Sequence, residues 1–137
     1  MALKLEIVTP EALVFSDVVS TVVLPGSLGE MGVLPKHAPL VTSITPGELR
    51  YTKDSHTTEM AVGEGFVEVT GDSVKVLTDL AIAESAIDEA AVQAALERAQ
   101  DRLKQSDKLA AEEVAAVEAS IAKSLAQLRV KRKRHQI

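Results

Sequence analysis

The chain has 137 residues, with 20 acidic and 15 basic side chains, no cysteine and three aromatics: Phe15, Tyr51 and Phe66. Such a length fits one domain, or one small domain with an appendage. The lack of cysteine excludes a disulfide scaffold, a thiolate zinc site, an iron–sulfur cluster and a cysteine nucleophile. No apolar run approaches the ~18 residues of a membrane span, and Met1–Glu6 lacks the basic-then-apolar layout of a signal peptide.

The first part of the chain reads as β. Leu3, Leu5 and Ile7 alternate with Lys4 and Glu6, the period of a half-buried strand. Val18 to Leu24 is a β-branched run ending at Pro25-Gly26, and the Gly-rich stretch 25–32 that follows is expected to be a loop containing Glu30. Leu40–Ile44 alternates weakly up to Pro46-Gly47. Glu48–Thr52 leads into the polar turn Lys53-Asp54-Ser55-His56. Met60–Val62 and Phe66–Val69 flank the Gly63-Glu64-Gly65 bend, and Thr70-Gly71-Asp72 turns the chain into Val74–Leu77. Short strands at this spacing predict a small β-sandwich or barrel over residues 1–84, with a core of Val, Leu and Ile.

Residues 85–137 read as a helical hairpin, so the fold class is α+β. All seven glycines and all five prolines occur by Gly71, whereas 15 of 19 alanines lie between Ala81 and Ala126. Val92, Leu96, Ala99 and Leu103 form one apolar stripe; Ala110, Val114, Val117, Ile121, Leu125 and Leu128 form another. Ser85 and Asp88 are both candidate caps for the first helix. The polar break Gln105–Lys108 suits an antiparallel hairpin. Alanine favours the helix but contributes little on burial, so each helix is sound while docking is weak. That balance reads either as an element that rearranges or as an ordinary Ala-rich hairpin packed on the sandwich.

Charge divides along the same line. Residues 1–84 carry −7, residues 85–128 carry −3, and residues 129–137 carry +5 through Arg129, Lys131, Arg132, Lys133 and Arg134. One or two cations satisfy a helix C-terminus; five close together repel one another and point to a partner. Nucleic acid is one class, but no aromatic stands near the tip for stacking, and the body is acidic. An acidic protein surface fits at least as well.

Independent chemistry is hard to find. The stretch Pro25–Gly32 lacks the Lys-Ser/Thr of a phosphate loop. His37, His56 and His135 lack a second ligand at helical spacing, so no metal site is expected. No Gly-x-Ser-x-Gly elbow occurs. In Pro35-Lys36-His37-Ala38-Pro39-Leu40 two prolines stiffen an extended segment, which reads either as a surface turn or as a preorganised docking edge.

Taken together, these residues resemble the epsilon subunit of the rotary F-type ATP synthase. The resemblance rests on Leu5–Pro10, on Pro25-Gly26 with Gly29-Glu30-Met31-Gly32-Val33-Leu34-Pro35-Lys36-His37-Ala38-Pro39-Leu40, on Gly65–Val69 and Val74–Asp79, and on the Ala-rich hairpin from Ile87-Asp88 to Val130. It implies a flattened antiparallel β-sandwich over residues 1–84 followed by a two-helix hairpin, in a non-catalytic subunit of the central stalk that couples gamma to the membrane c-ring. Gly26, Ser27, Leu28, Gly29, Glu30, Met31 and Gly32 match the region facing the c-ring; His37, Ala38, Pro39, Leu40, Val41 and Thr42 match the gamma-facing edge. The family's hairpin either folds on the sandwich or extends into the alpha/beta catalytic head, restraining ATP hydrolysis. Arg129, Lys131, Arg132, Lys133 and Arg134 would then meet that head.

Some bacterial members bind ATP through Ile-Asp-x-x-Arg and further arginines. Here Ala91 occupies the arginine position, leaving Asp88 and Arg98 as weak candidates. No cofactor is expected, and ATP binding is predicted at millimolar strength or weaker. The resemblance also implies no nucleic acid, membrane association only through the complex, and a peripheral place on the cytoplasmic face of a bacterial plasma membrane or the stromal face of a thylakoid. The competing reading is a stand-alone module whose tip grips nucleic acid or anionic membrane.

Overall fold

A computed structural model describes residues 2–36 and 38–134, with the side chains of Ser106, Lys133 and Arg134 left aside. His37 and His135 lie outside the described residues. Ten strands run in chain order: β1 (Leu3–Val8), β2 (Leu13–Val19), β3 (Thr21–Gly26), β4 (Gly29–Val33), β5 (Leu40–Ile44), β6 (Gly47–Lys53), β7 (His56–Val62), β8 (Gly65–Thr70), β9 (Ser73–Thr78) and β10 (Ala81–Ala83). A 3-10 turn at Glu84–Ala86 leads to α1 (Glu89–Leu103), and a second at Ser106–Lys108 leads to α2 (Ala111–Arg134).

The strands pair in the order β10-β7-β6-β3-β5-β8-β9-β1-β2, with β4 added on β3. Only Gly26↔Ile44 joins β3 to β5, so the sheet folds there into two layers. One holds β10, β7, β6, β3 and β4; the other holds β5, β8, β9, β1 and β2. The expected sandwich is present, with one exception to its antiparallel pairing: β1 runs parallel to β9.

Two sequence expectations are corrected. The run Val18–Leu24 is not one strand. It breaks at Ser20, whose backbone N–H and hydroxyl both donate to the Thr52 carbonyl, at 2.7 and 2.8 Å. β-branched residues continue through this corner because each side of it feeds a different layer. The Gly-rich stretch is not a loop but the β3–β4 hairpin, which leaves Glu30 on a strand. Glycine hid the pairing because it lowers strand propensity without forbidding the ladder.

The core lies between the layers. Leu3, Leu5 and Ile7 of β1, Val22 and Leu24 of β3, Leu49 of β6, Val67 and Val69 of β8, and Val74 and Val76 of β9 are all buried. Each such side chain contributes ~1.5–3 kcal/mol. Phe15 and Tyr51 close one edge with ring centroids 4.5 Å apart. At the opposite end the chain crowds together: a Cβ on Gly65 would lie 1.8 Å from the Leu77 carbonyl oxygen, so only glycine fits.

Asp88 is the N-cap of α1, its carboxylate accepting the Ala91 N–H at 3.1 Å. This settles the choice between Ser85 and Asp88. α2, 24 residues and about 36 Å long, lies against α1 and across β6 and β7. The hairpin is therefore folded onto the sandwich. Leu96, Val117 and Leu128 are buried, as their spacing predicts, while Leu125 faces out.

Candidate functional site

The β3–β4 hairpin turns through Ser27 and Leu28, between the paired Gly26 and Gly29. Gly29 has φ 120°, which suits glycine. Leu28 stands fully exposed at the tip, an apolar side chain with no intramolecular cover. Behind it, Glu30 accepts from Arg50 at 2.8 Å, and Arg50 also donates to Glu48 at 2.6 Å. Those bonds, the one to Glu48 foremost, raise the Arg50 pKa above its ordinary value. Met31 packs partly against the core, and Gly32 ends opposite Val23.

The second surface lies on the other layer. Lys36 has φ 67° and its N–H donates to the Asp72 carboxylate at 3.1 Å, which pins the approach to Ala38-Pro39. Leu40 packs partly on the core, while Val41 is exposed beside the half-buried Thr42. Register extends this edge. Phe66 is opposite Leu77, Leu77 opposite Val8, and Val8 opposite Leu13. Cross-strand partners share one face, so these four make an apolar row across β8, β9, β1 and β2. Phe66 is 59 % exposed, Leu13 57 % and Leu77 41 %. An open cavity of about 360 Å³ beside the row is lined by Val8, Pro10, Gly65 and Leu77.

The third surface is the end of α2. Lys131 Nζ lies 3.3 Å from the Glu84 carboxylate and 3.3 Å from its carbonyl oxygen. Arg132 donates to Glu89 at 2.9 Å and to Gln93 at 2.8 Å. Just before them Val130 is fully buried with Ala61 and Ile87, Ile82 and Val92 packing alongside. Arg129 borders an open cavity of about 400 Å³ shared with Gly26, Glu30, Glu48 and Arg50. The backbone of residues 133 and 134 continues the helix.

Arg98 and Arg102 border a third cavity, about 560 Å³, between the helices, with Lys123 across from them. Arg102 is engaged by Glu113 at 3.4 Å and Lys123 by Asp79 at 2.8 Å. Asp88, occupied as a helix cap, is not among the cavity's lining residues. The two weak ATP-site candidates are thus not brought together around it. No group of three or more His, Asp or Glu side chains placed to hold a metal occurs among the described residues.

The family model for the ATP synthase delta/epsilon chain, beta-sandwich domain, matches residues 2–84. An ATP synthase epsilon chain of Carboxydothermus hydrogenoformans is 50 % identical over 101 residues, 74 % of this chain and 75 % of the relative. The chain belongs to the ATP synthase epsilon family. Epsilon chain 2 of Syntrophotalea carbinolica is 48 % identical over 103 residues, covering 75 % of each chain. In fold, this epsilon-family chain matches a chain of the Euglena gracilis mitochondrial ATP synthase, solved with OSCP, F1 and c-ring. The TM-score is 0.76 and the identity 19 %, over 99 % of this chain and 82 % of that one. The reading as a stand-alone nucleic-acid or membrane module finds no support in these relatives.

Sequence reasoning missed several residues that the epsilon-family fold brings into play. The row Phe66–Leu77–Val8–Leu13 draws one residue from each of four strands, and only register aligns it. The burial of Val130 inside the basic tip went unread because a single apolar residue among cations carries no period. Arg50 was read only as part of a strand; the acid two residues before it, Glu48, was the available signal, since i and i+2 share a strand face.

Proposed function

We propose that this chain is the non-catalytic central-stalk subunit that couples gamma to the c-ring and restrains ATP hydrolysis through its C-terminal helices. The observation that carries the reading is the unequal treatment of the two outer sheet faces. One bears a bare apolar row. The other lies under a helix whose cationic end is held by surface ion pairs. A bare row suits a partner that stays; a charged, lightly anchored cover suits an element that leaves.

In this reading gamma occupies the edge from His37 to Thr42 and the adjoining row of Phe66, Leu77, Val8 and Leu13. The c-ring meets the Gly26–Gly32 hairpin, where Leu28 is free to enter an apolar partner and Glu30 lies beside it. The extended hairpin carries Arg129, Lys131, Arg132, Lys133 and Arg134 to acidic surfaces of the alpha/beta head. No described helix is long and apolar enough to cross a membrane. In this reading the chain meets the membrane only through the complex, at the cytoplasmic face of a bacterial plasma membrane or, as the alternative, the stromal face of a thylakoid. ATP binding to the hairpin is millimolar or weaker, since Asp88 is occupied as a cap.

Deletion of residues 85–137 tests the regulatory half. It leaves co-purification with gamma intact and raises ATP hydrolysis by the membrane-bound enzyme. Lost coupling with unchanged hydrolysis overturns the inhibitory role.

A further inference from the structure

Two of the cations assigned to an external acidic partner, Lys131 and Arg132, are already paired with acids of the chain itself. Those acids, with Asp79 on Lys123, occupy one short segment. Asp79 follows β9, Glu84 opens the 3-10 turn, and Glu89 and Gln93 lie in the first turns of α1. This is the connector between sandwich and hairpin, the part of the chain where any hinge must lie. It meets the second half of α2 at Lys123–Asp79 (2.8 Å), Lys131–Glu84 (3.3 Å) and Arg132–Glu89 (2.9 Å). The paired residues are 43 to 47 positions apart along the chain; the Asp79 and Glu84 contacts exist only while α2 lies on the sandwich, and the Glu89 contact only while α1 and α2 stay packed together.

We propose that Glu84 and Glu89 form an internal acidic latch, supported by Asp79 on Lys123, that holds the hairpin folded by occupying Lys131 and Arg132, cations an external acidic protein surface would bind. The exclusivity is geometric. Lys131 Nζ is held between the carboxylate and carbonyl of one residue, Glu84, with its side chain only 20 % exposed. Arg132 directs Nε to Glu89 and a second nitrogen to Gln93. Lys131 is closed to a second partner until the hairpin opens, whereas Arg132, 52 % exposed, has to exchange Glu89 and Gln93 for an external acid. Val130, buried at 0 % exposure immediately before these two cations, fixes the register that brings each cation to its acid. The latch is thus a competitor: whichever acidic surface holds Lys131 and Arg132 decides the state of the hairpin. Its regulatory meaning rests on the function proposed above, but its existence does not.

The absence of native cysteine supplies the test. In the full-length isolated chain, Val130→Cys places a single thiol that maleimide reaches only when the hairpin opens, so the labelling rate follows the open population. In that background Glu84→Gln with Glu89→Gln raises the rate roughly two- to twenty-five-fold, since a surface pair shifts an equilibrium by about 1.5- to 5-fold and the two shifts multiply. Added salt raises the parent rate and barely changes that of the double variant. Glu84→Lys speeds labelling, and adding Lys131→Glu slows it again. A rate indifferent to both neutralisation and salt, or a charge swap that fails to restore protection, overturns the latch. The same Gln variants assembled into the ATP synthase lower its hydrolysis rate if the extended hairpin inhibits. Faster labelling with unchanged hydrolysis leaves the latch standing and removes the inhibitory role.

Discussion

The two outer faces of one sandwich are built on opposite terms. The face formed by β6, β7 and β10 is covered by α2, yet what it offers is modest: Ala61, Ile82 and the side chains of Glu48 and Arg50. The face formed by β8, β9, β1 and β2 is uncovered, yet it carries Phe66, Leu77, Val8 and Leu13 in one row. Apolar burial scales with area, so the chain leaves its better docking face empty and covers its weaker one. A protein optimised as an isolated monomer would do the reverse. On the function proposed above, the difference separates a permanent contact, made by apolar area, from a reversible one, made by a small apolar cluster around Val130 and a few ion pairs.

The largest effect is expected on the bare face. Phe66→Glu with Leu77→Glu places two carboxylates where an apolar partner docks. Each lost apolar contact is worth about 1.5–3 kcal/mol, so gamma binding falls by on the order of a hundredfold or more. Both side chains point outward, and the circular dichroism spectrum and thermal midpoint of the isolated chain stay close to the parent's. Calorimetric titration with gamma reads the loss; unchanged affinity removes the row from the interface and dissolves the contrast between the faces.

The covered face is expected to respond less. Val130→Ala removes two methyl groups from a fully buried site, about 1.6 kcal/mol at ~0.8 per carbon. The sandwich keeps its core, which Val130 does not enter, but α2 undocks more often. Hydrogen exchange of the residue 126–132 amides from tertiary opening should rise about tenfold, while β1 and β9 amides remain protected. Equal acceleration in both places would mean that hairpin and sandwich open as one unit, contrary to a reversible cover.

How much of this was legible in the sequence follows from the range of each interaction. The alternation in β1 and the stripe through Leu96, Val117 and Leu128 are local patterns, and the fold respects them. The Ser20 corner was illegible because Val18, Val19, Val22 and Val23 continue an apolar run on both sides of it, and only the distant Thr52 carbonyl marks the break. The bare row was illegible for the same reason in stronger form: it exists only in the register of four strands. The cations of the tip were plain, but their acids lie more than forty residues away. Charge counting therefore pointed outward to a partner before it pointed inward to the connector.

The smallest effect concerns the seam where the two faces meet. Asp17 of β2 and Lys53 of β6 belong to different layers and form an ion pair across the closing edge, next to the Ser20 corner. The hydrogen bond from Lys53, helped by the Val18 N–H, holds the Asp17 carboxyl below its ordinary range, and the same bond raises Lys53. A carboxylate with a depressed folded-state pKa adds stability above its unfolded pKa and loses it as pH falls through the folded value. Asp17→Asn should therefore be slightly less stable than the parent at neutral pH and equal to it in strong acid. The gap should close on the acid side of the ordinary carboxylate range, and added salt should narrow it at neutral pH because the pair is exposed. Urea midpoints measured from pH 7 down to pH 2 give the comparison. A gap that persists undiminished in acid would assign the effect to packing at the corner rather than to charge. The layers would then be joined there by the Ser20–Thr52 hydrogen bonds and the Phe15–Tyr51 contact alone.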